Sequence, residues 1–170
     1  EYGTTINTYT GSVAWSYSTL NRGVFADRGA SQRLSLDFAM PMSDVSYLKL
    51  SYNGQLYVPI NDDFSVRLRT DLGFGDNLPF YRNYFAGGYG SVRGYRDNTL
   101  GPRSPSFVGD LDPEIVGGNV LVENSAELIV PTPFAKNNRQ LRTVLFVDSG
   151  MVYDRGSAAY GFDLSDLRYS

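Results

Sequence analysis

Three side chains in this sequence have the types to form one specific polar contact. Arg93 stands in the middle of residues 85–102, a stretch with five glycines in eighteen residues, and Glu127 and Asp148 lie in two later segments that alternate polar with apolar residues. So many glycines cannot be packing material. Glycine reaches φ > 0 without steric cost, so this density marks a backbone that turns tightly or lies against another surface. A lone loop arginine is ordinarily a solvated charge worth little. Glu127 and Asp148, however, fall on strand faces assigned inward, and buried carboxylates need a cationic partner. The planar guanidinium can serve two carboxylate oxygens at once. The expectation is an ordered plug or latch: Arg93 docked onto Glu127 and Asp148.

Other chemistry is poorly supplied. The chain has no histidine and no cysteine, so the commonest catalytic base, the commonest metal ligand and any disulfide framework are missing. Gly87-Gly88-Tyr89-Gly90 is not followed by Gly-Lys-Ser/Thr or by a helix start, so it is no phosphate loop. No spacing of Asp and Glu singles out a glycosidase pair. A net charge of −3 and a pI near 4.9 argue against nucleic acid, which requires a clustered positive field. No catalytic residue, metal or cofactor is expected, and the protein is read as a non-enzyme.

The elements that must position these residues read as strands. Aromatics make up 14% of the chain, with 13 tyrosines and 18 glycines, a strand-and-turn vocabulary. Val13, Trp15 and Tyr17 alternate with Ala14, Ser16 and Ser18. Leu34, Leu36, Phe38 and Met40 alternate with Arg33, Ser35, Asp37 and Ala39 after a turn over residues 21–31. Period two continues over residues 45–58, 64–74, 119–130 and 141–153, and a further strand starts at 167–170. Between the fourth and fifth strands regularity stops over residues 75–118, a length that marks a functional or a disordered loop, and its aromatics and glycines favour an ordered one. The prediction is an all-β antiparallel meander without helix or domain boundary.

Alternation alone suits a soluble β-sandwich binding module, which would stay in solution without detergent. Three features favour a transmembrane β-barrel instead. The strands run to about ten residues where a soluble mean is ~5–6. Their polar faces carry arginines and carboxylates while the apolar faces hold almost no charge. Tyr and Trp gather towards strand ends, as in an interfacial girdle. No run of about 18 apolar residues offers a helical span, and barrel strands need none.

Residues 80–102, with Gly87, Gly88 and Ser91-Val92-Arg93-Gly94-Tyr95, resemble the VRGF/Y loop motif of the outer-membrane assembly and two-partner-secretion barrels. Leu20-Asn21-Arg22-Gly23 with Phe25, Tyr57-Val58-Pro59-Ile60, Pro131-Thr132-Pro133-Phe134 and Asp148-Ser149-Gly150-Met151-Val152-Tyr153 extend the resemblance over nearly the whole chain. Tyr95 stands where many members have Phe, and its hydroxyl needs a partner if buried.

The resemblance implies a 16-stranded barrel in the outer membrane of a Gram-negative bacterium. Residues 1–170 would then be a partial barrel, about strands eight to thirteen and the start of fourteen, with residues 75–118 as extracellular loop six folded into the lumen. By the family pattern Arg93 contacts acidic groups of the inner wall, matching Glu127 and Asp148. It implies an assembly factor that folds and inserts other β-barrel proteins, with preceding POTRA domains, outer-membrane lipid, unfolded clients and accessory lipoproteins as partners. The alternative within the family is a translocator pore that exports a dedicated passenger.

Overall fold

A computed structural model describes residues 7–104, 113–132, 141–156 and 163–170. Among these residues seven strands form one sheet in chain order: β1 Thr10–Ser18, β2 Gly29–Ala39, β3 Leu48–Pro59, β4 Ser65–Asp76, β5 Val120–Val130, β6 Thr143–Tyr153 and β7 Arg168–Tyr169. Every neighbouring pair is antiparallel. The predicted meander is thus the observed one. β2 starts at Gly29, inside the predicted turn, because Gly29 and Ala30 pair with Tyr57 and Leu56 of β3. The helical turns among the described residues are short 3₁₀ turns, Phe80–Arg82 and Leu164–Asp166.

Because side chains alternate across a strand, register decides which residues share a face. Val13, Leu36, Leu50, Phe74, Val120 and Tyr153 stand in one row across six strands. On the opposite face the row Ser31, Gln55, Arg69, Ser125, Asp148 is polar throughout. Burial then runs opposite to that of a water-soluble sheet. Trp15, Leu68 and Val147 are 54%, 45% and 64% exposed, whereas Glu123, Ser125, Glu127 and Asp148 are buried. An apolar face left open over so many strands, backed by buried charge, is the arrangement of a wall with lipid outside and polar side chains inside.

Among the described residues the packed apolar cluster lies on the polar face and is built largely by the long loop. Tyr84, Ala86, Val92 and Leu100 come from the loop and meet Val152 of β6, with Leu78, Tyr95 and Leu121 against them. The loop is therefore held on the wall between β4 and β6, where Glu127 and Asp148 also lie.

Candidate functional site

The loop is ordered by its own backbone before it meets the wall. Bridges Tyr84 to Gly118, Ala86 to Leu100 and Arg103 to Ile115 fold it into a narrow ribbon. At its tip the Gly88 N–H donates to the Val92 carbonyl at 3.2 Å, and Ser91 N–H donates back to Gly88 at 3.1 Å. Gly87 and Gly88 both have φ near +100°, and a side chain on Gly87 would meet the Arg96 carbonyl at 2.6 Å. Only glycine is free to adopt that conformation so close to another backbone. The hairpin presents Val92 and Arg93 side by side towards β5 and β6.

The wall receives the loop through places where strands lack a side chain. Val92 is fully buried, and a Cβ on Gly150 of β6 would come within 2.6 Å of its methyl group. Tyr84 lies likewise against Gly73 of β4, where a Cβ would stand 2.6 Å from the ring. The Tyr84 hydroxyl donates to the Leu50 carbonyl at 2.8 Å and pairs with the Ser51 hydroxyl at 2.8 Å. Lys49 crosses the ring face, 4.1 Å from its centroid, and donates to the Arg82 carbonyl at 2.7 Å. Shape and hydrogen bonding thus fix the loop before any charge is counted.

Arg93 then donates from all three of its guanidinium nitrogens. Nε donates to Asp148 Oδ2 and Nη2 to Asp148 Oδ1, both at 2.6 Å, a bidentate pair. Nη1 donates to Glu127 Oε1 at 2.8 Å, and Nη2 also reaches the Ser125 hydroxyl at 3.0 Å. The Arg93 backbone N–H adds a bond to Asp148 Oδ2 at 3.1 Å, so one carboxylate reads both main chain and side chain. Ser125 in turn donates to Asp148 at 2.6 Å. The guanidinium lies 3.6 Å from the Phe146 ring centroid, a cation–π contact on the remaining side. The Arg93 side chain is 16% exposed and Asp148 not at all. The hydrogen bonds to Asp148 raise the arginine's pKa above its already high ordinary value.

Two further wall arginines extend the network. Arg67 of β4 holds the other oxygen of Glu127 at 3.1 Å, so Glu127 bridges β4 and the loop. Arg69 donates to the Ser91 carbonyl at 3.0 Å, and the Ser91 hydroxyl donates to Glu123 of β5. The buried carboxylates Glu123, Glu127 and Asp148 are each hydrogen-bonded, which offsets the cost of removing them from water.

The structure brings Arg93, Glu127 and Asp148 into one contact set. Gly87, Gly88, Ser91 and Val92 shape or buttress it. Gly94 has φ +85° and lies near Ser170, and the Tyr95 hydroxyl is 3.5 Å from the Tyr169 carbonyl. Those two residues face β7, not the carboxylates. Thr132 contacts Thr143 across the β5–β6 turn, while Pro133 and Phe134 lie outside the described residues. Sequence reasoning missed Gly73, Gly150, Tyr84, Ser125 and Phe146 as parts of the site. Glycine in the polar phase of an otherwise regular strand was the available signal, since such a gap often marks close approach of another segment. Among the described residues no group of three or more His, Cys, Asp or Glu side chains could hold a metal ion.

An inside-out antiparallel wall, with a long loop tied onto its polar face, defines a section of a transmembrane β-barrel. The Omp85 superfamily domain matches residues 1–170, and the chain belongs to that superfamily. It is similar to the outer membrane protein assembly factor BamA of Neisseria meningitidis serogroup B, 33% identical over 152 residues, which are 86% of this chain and 19% of that protein. A crystal structure of BamA from Haemophilus ducreyi lacking POTRA domains 1–3 superposes with a TM-score of 0.83 at 30% identity, over 93% of this chain and 34% of that one. A SAM50-like protein of Schizosaccharomyces pombe is 24% identical over 151 residues, 82% of this chain and 30% of that protein. The chain thus spans about a fifth of the Neisseria protein's length. Its place is the outer membrane of a Gram-negative bacterium.

Proposed function

We propose that this chain is wall and latch of a β-barrel assembly factor that folds and inserts other barrel proteins into the outer membrane. The observation that carries the reading is the Arg93 cluster, set in a wall 33% identical to a protein named for that assembly. In the proposed arrangement residues 1–170 form about strands eight to thirteen and the start of fourteen of a 16-stranded barrel. Residues 75–118 are the extracellular loop folded into the lumen, and Arg93, Glu127 and Asp148 hold that loop and wall in one register. The work is non-enzymatic: client folding and a locally destabilised bilayer supply the free energy, with no nucleotide. Clients pair by strand addition at a seam formed by other strands of the barrel. Outer-membrane lipid, unfolded clients and accessory lipoproteins are the partners.

The test is depletion of the parent protein in its own cell. Heat-modifiable gel migration then measures how much of several unrelated outer-membrane barrels reaches the folded form. A general fall is expected. Normal folding of all of them, with a single secreted passenger missing, would overturn the reading in favour of a dedicated translocator.

A further inference from the structure

At the end of the wall opposite the long loop, the β1–β2 turn makes a contact that sheet pairing does not require. Arg142, just before β6, donates through Nη2 to the carbonyls of Phe25 at 3.1 Å and Ala26 at 2.8 Å. Its guanidinium also lies 5.1 Å from the Phe25 ring centroid. These residues are 116 and 117 positions apart, and four strand spacings separate β2 from β6, roughly 19 Å along the sheet. An arginine cannot span that distance. The turn must therefore cross the end of a curved wall, and Ala26, only 4% exposed, is buried where it does so.

The turn is built to hold that shape. Asn21 acts as its hub, donating from Nδ2 to Asp27 Oδ1 at 2.7 Å and accepting from the Asp27 N–H at 3.2 Å and the Arg28 N–H at 3.4 Å. Arg22 pairs with Asp27 at 3.5 Å. Phe25 sits at φ +55°, a conformation unusual for an aromatic residue, and it turns two successive carbonyls towards Arg142. Between this turn and the β3–β4 turn lies a cavity of 470 Å³ that Asp27, Ile60, Phe64 and Arg142 help to line.

We propose that the β1–β2 turn is a second strap, pinned by Arg142, which closes the wall at the end opposite the Arg93 loop. It is separate from the first latch. Its nearest approach to that latch is Glu127, opposite Phe146 and so four residues on from Arg142, about 13 Å along the strand and beyond the range at which substitutions usually couple, so the two share only a longer-range charge interaction. Arg93 reaches from a loop to carboxylates on the wall, whereas Arg142 reaches from the wall to backbone carbonyls of a turn. Arg142 ties the start of β6, and Arg93 ties its middle at Asp148.

The experiment uses the full-length parent protein, folded in detergent, with any cysteines outside this stretch replaced; the stretch itself has none. Ala26→Cys reports the strap and Val92→Cys reports the loop, each by its rate of reaction with a bulky maleimide. With native Arg142 both thiols react slowly. Arg142→Ala is expected to speed labelling at position 26 at least ten-fold while position 92 stays within two-fold. An unchanged rate at position 26 overturns the pin, and equal acceleration at both positions overturns the separateness of the two latches. If Arg142→Ala does not reach the heat-modifiable form, Arg142→Lys carries the same readout, since it keeps the charge but, with a shorter side chain and no planar guanidinium, loses the reach of Nη2 to both carbonyls and the contact with the Phe25 ring. About three-fold acceleration at position 26 alone is then expected, and a rate equal to that with native Arg142 overturns the proposal.

Discussion

The polar face of the sheet has two halves that differ in what covers them. Across β4 to β6 the loop lies on it: Glu123, Ser125, Glu127 and Asp148 are buried, and each is satisfied by the loop, by Arg67 or by a neighbour. Across β1 and β2 the same face is open. Ser12, Ser16 and Arg33 are exposed, and the Ser12 hydroxyl pairs with Asp37 of the next strand at 2.5 Å. The strands on both sides follow one alternation rule, so the strand pattern does not cause the difference. Complementary gaps and charges do. Gly73 and Gly150 leave room for Tyr84 and Val92, and the carboxylates of β5 and β6 meet the one arginine the loop inserts among them.

If that account of the covered half is right, substitutions there should cost far more than equivalent ones on the bare half. Arg93→Ala should have the largest effect, because Asp148 would remain fully buried without its cation. A cost of about 3–5 kcal/mol is expected for breaking such a pair from one side, read as a lower urea midpoint of the folded barrel in detergent. A loss under about 1 kcal/mol would mean that water replaces the arginine without difficulty.

Gly150→Ala comes next. Its new methyl would press on the buried Val92, and overpacking of this kind costs about 1–3 kcal/mol. Combining it with Val92→Ala should recover part of the loss if the two residues meet as described. Tyr84→Phe removes a hydroxyl bonded to Leu50 and Ser51 while keeping the ring, for about 1 kcal/mol. Ser12→Ala, on the bare half, should stay within about 0.5 kcal/mol, as surface substitutions usually do. A Ser12→Ala cost equal to that of Tyr84→Phe would erase the distinction between the halves.

The strands were readable because one face had to be apolar over ten or more residues, and period two survives in residues such as Leu48, Leu50, Tyr52 and Leu56 whatever their neighbours do. Strand ends were less readable. Gly29 and Ala30 look like turn residues, and only their partners Tyr57 and Leu56 extend β2 to include them. In the site, Arg93, Glu127 and Asp148 stood out because each is a charge whose surroundings must account for it. Ser125 and Phe146 carry no such requirement. Their role depends on register: Ser125 stands opposite Asp148, and Phe146 opposite Glu127. The tie between Phe25, Ala26 and Arg142 was hidden for another reason, since backbone carbonyls accept hydrogen bonds from any residue type.

The most direct test of the latch is a reciprocal charge swap in the parent protein, followed by heat-modifiable migration and the urea midpoint. Arg93→Glu alone places a carboxylate against Asp148 and Glu127 and should lower both the folded fraction and the midpoint. Adding Asp148→Arg restores an opposite pair at the same place, so partial recovery of both is predicted. If neither Asp148→Arg nor Glu127→Arg recovers any of the loss, Arg93 does not hold the loop through these carboxylates, and the account of the covered half is wrong.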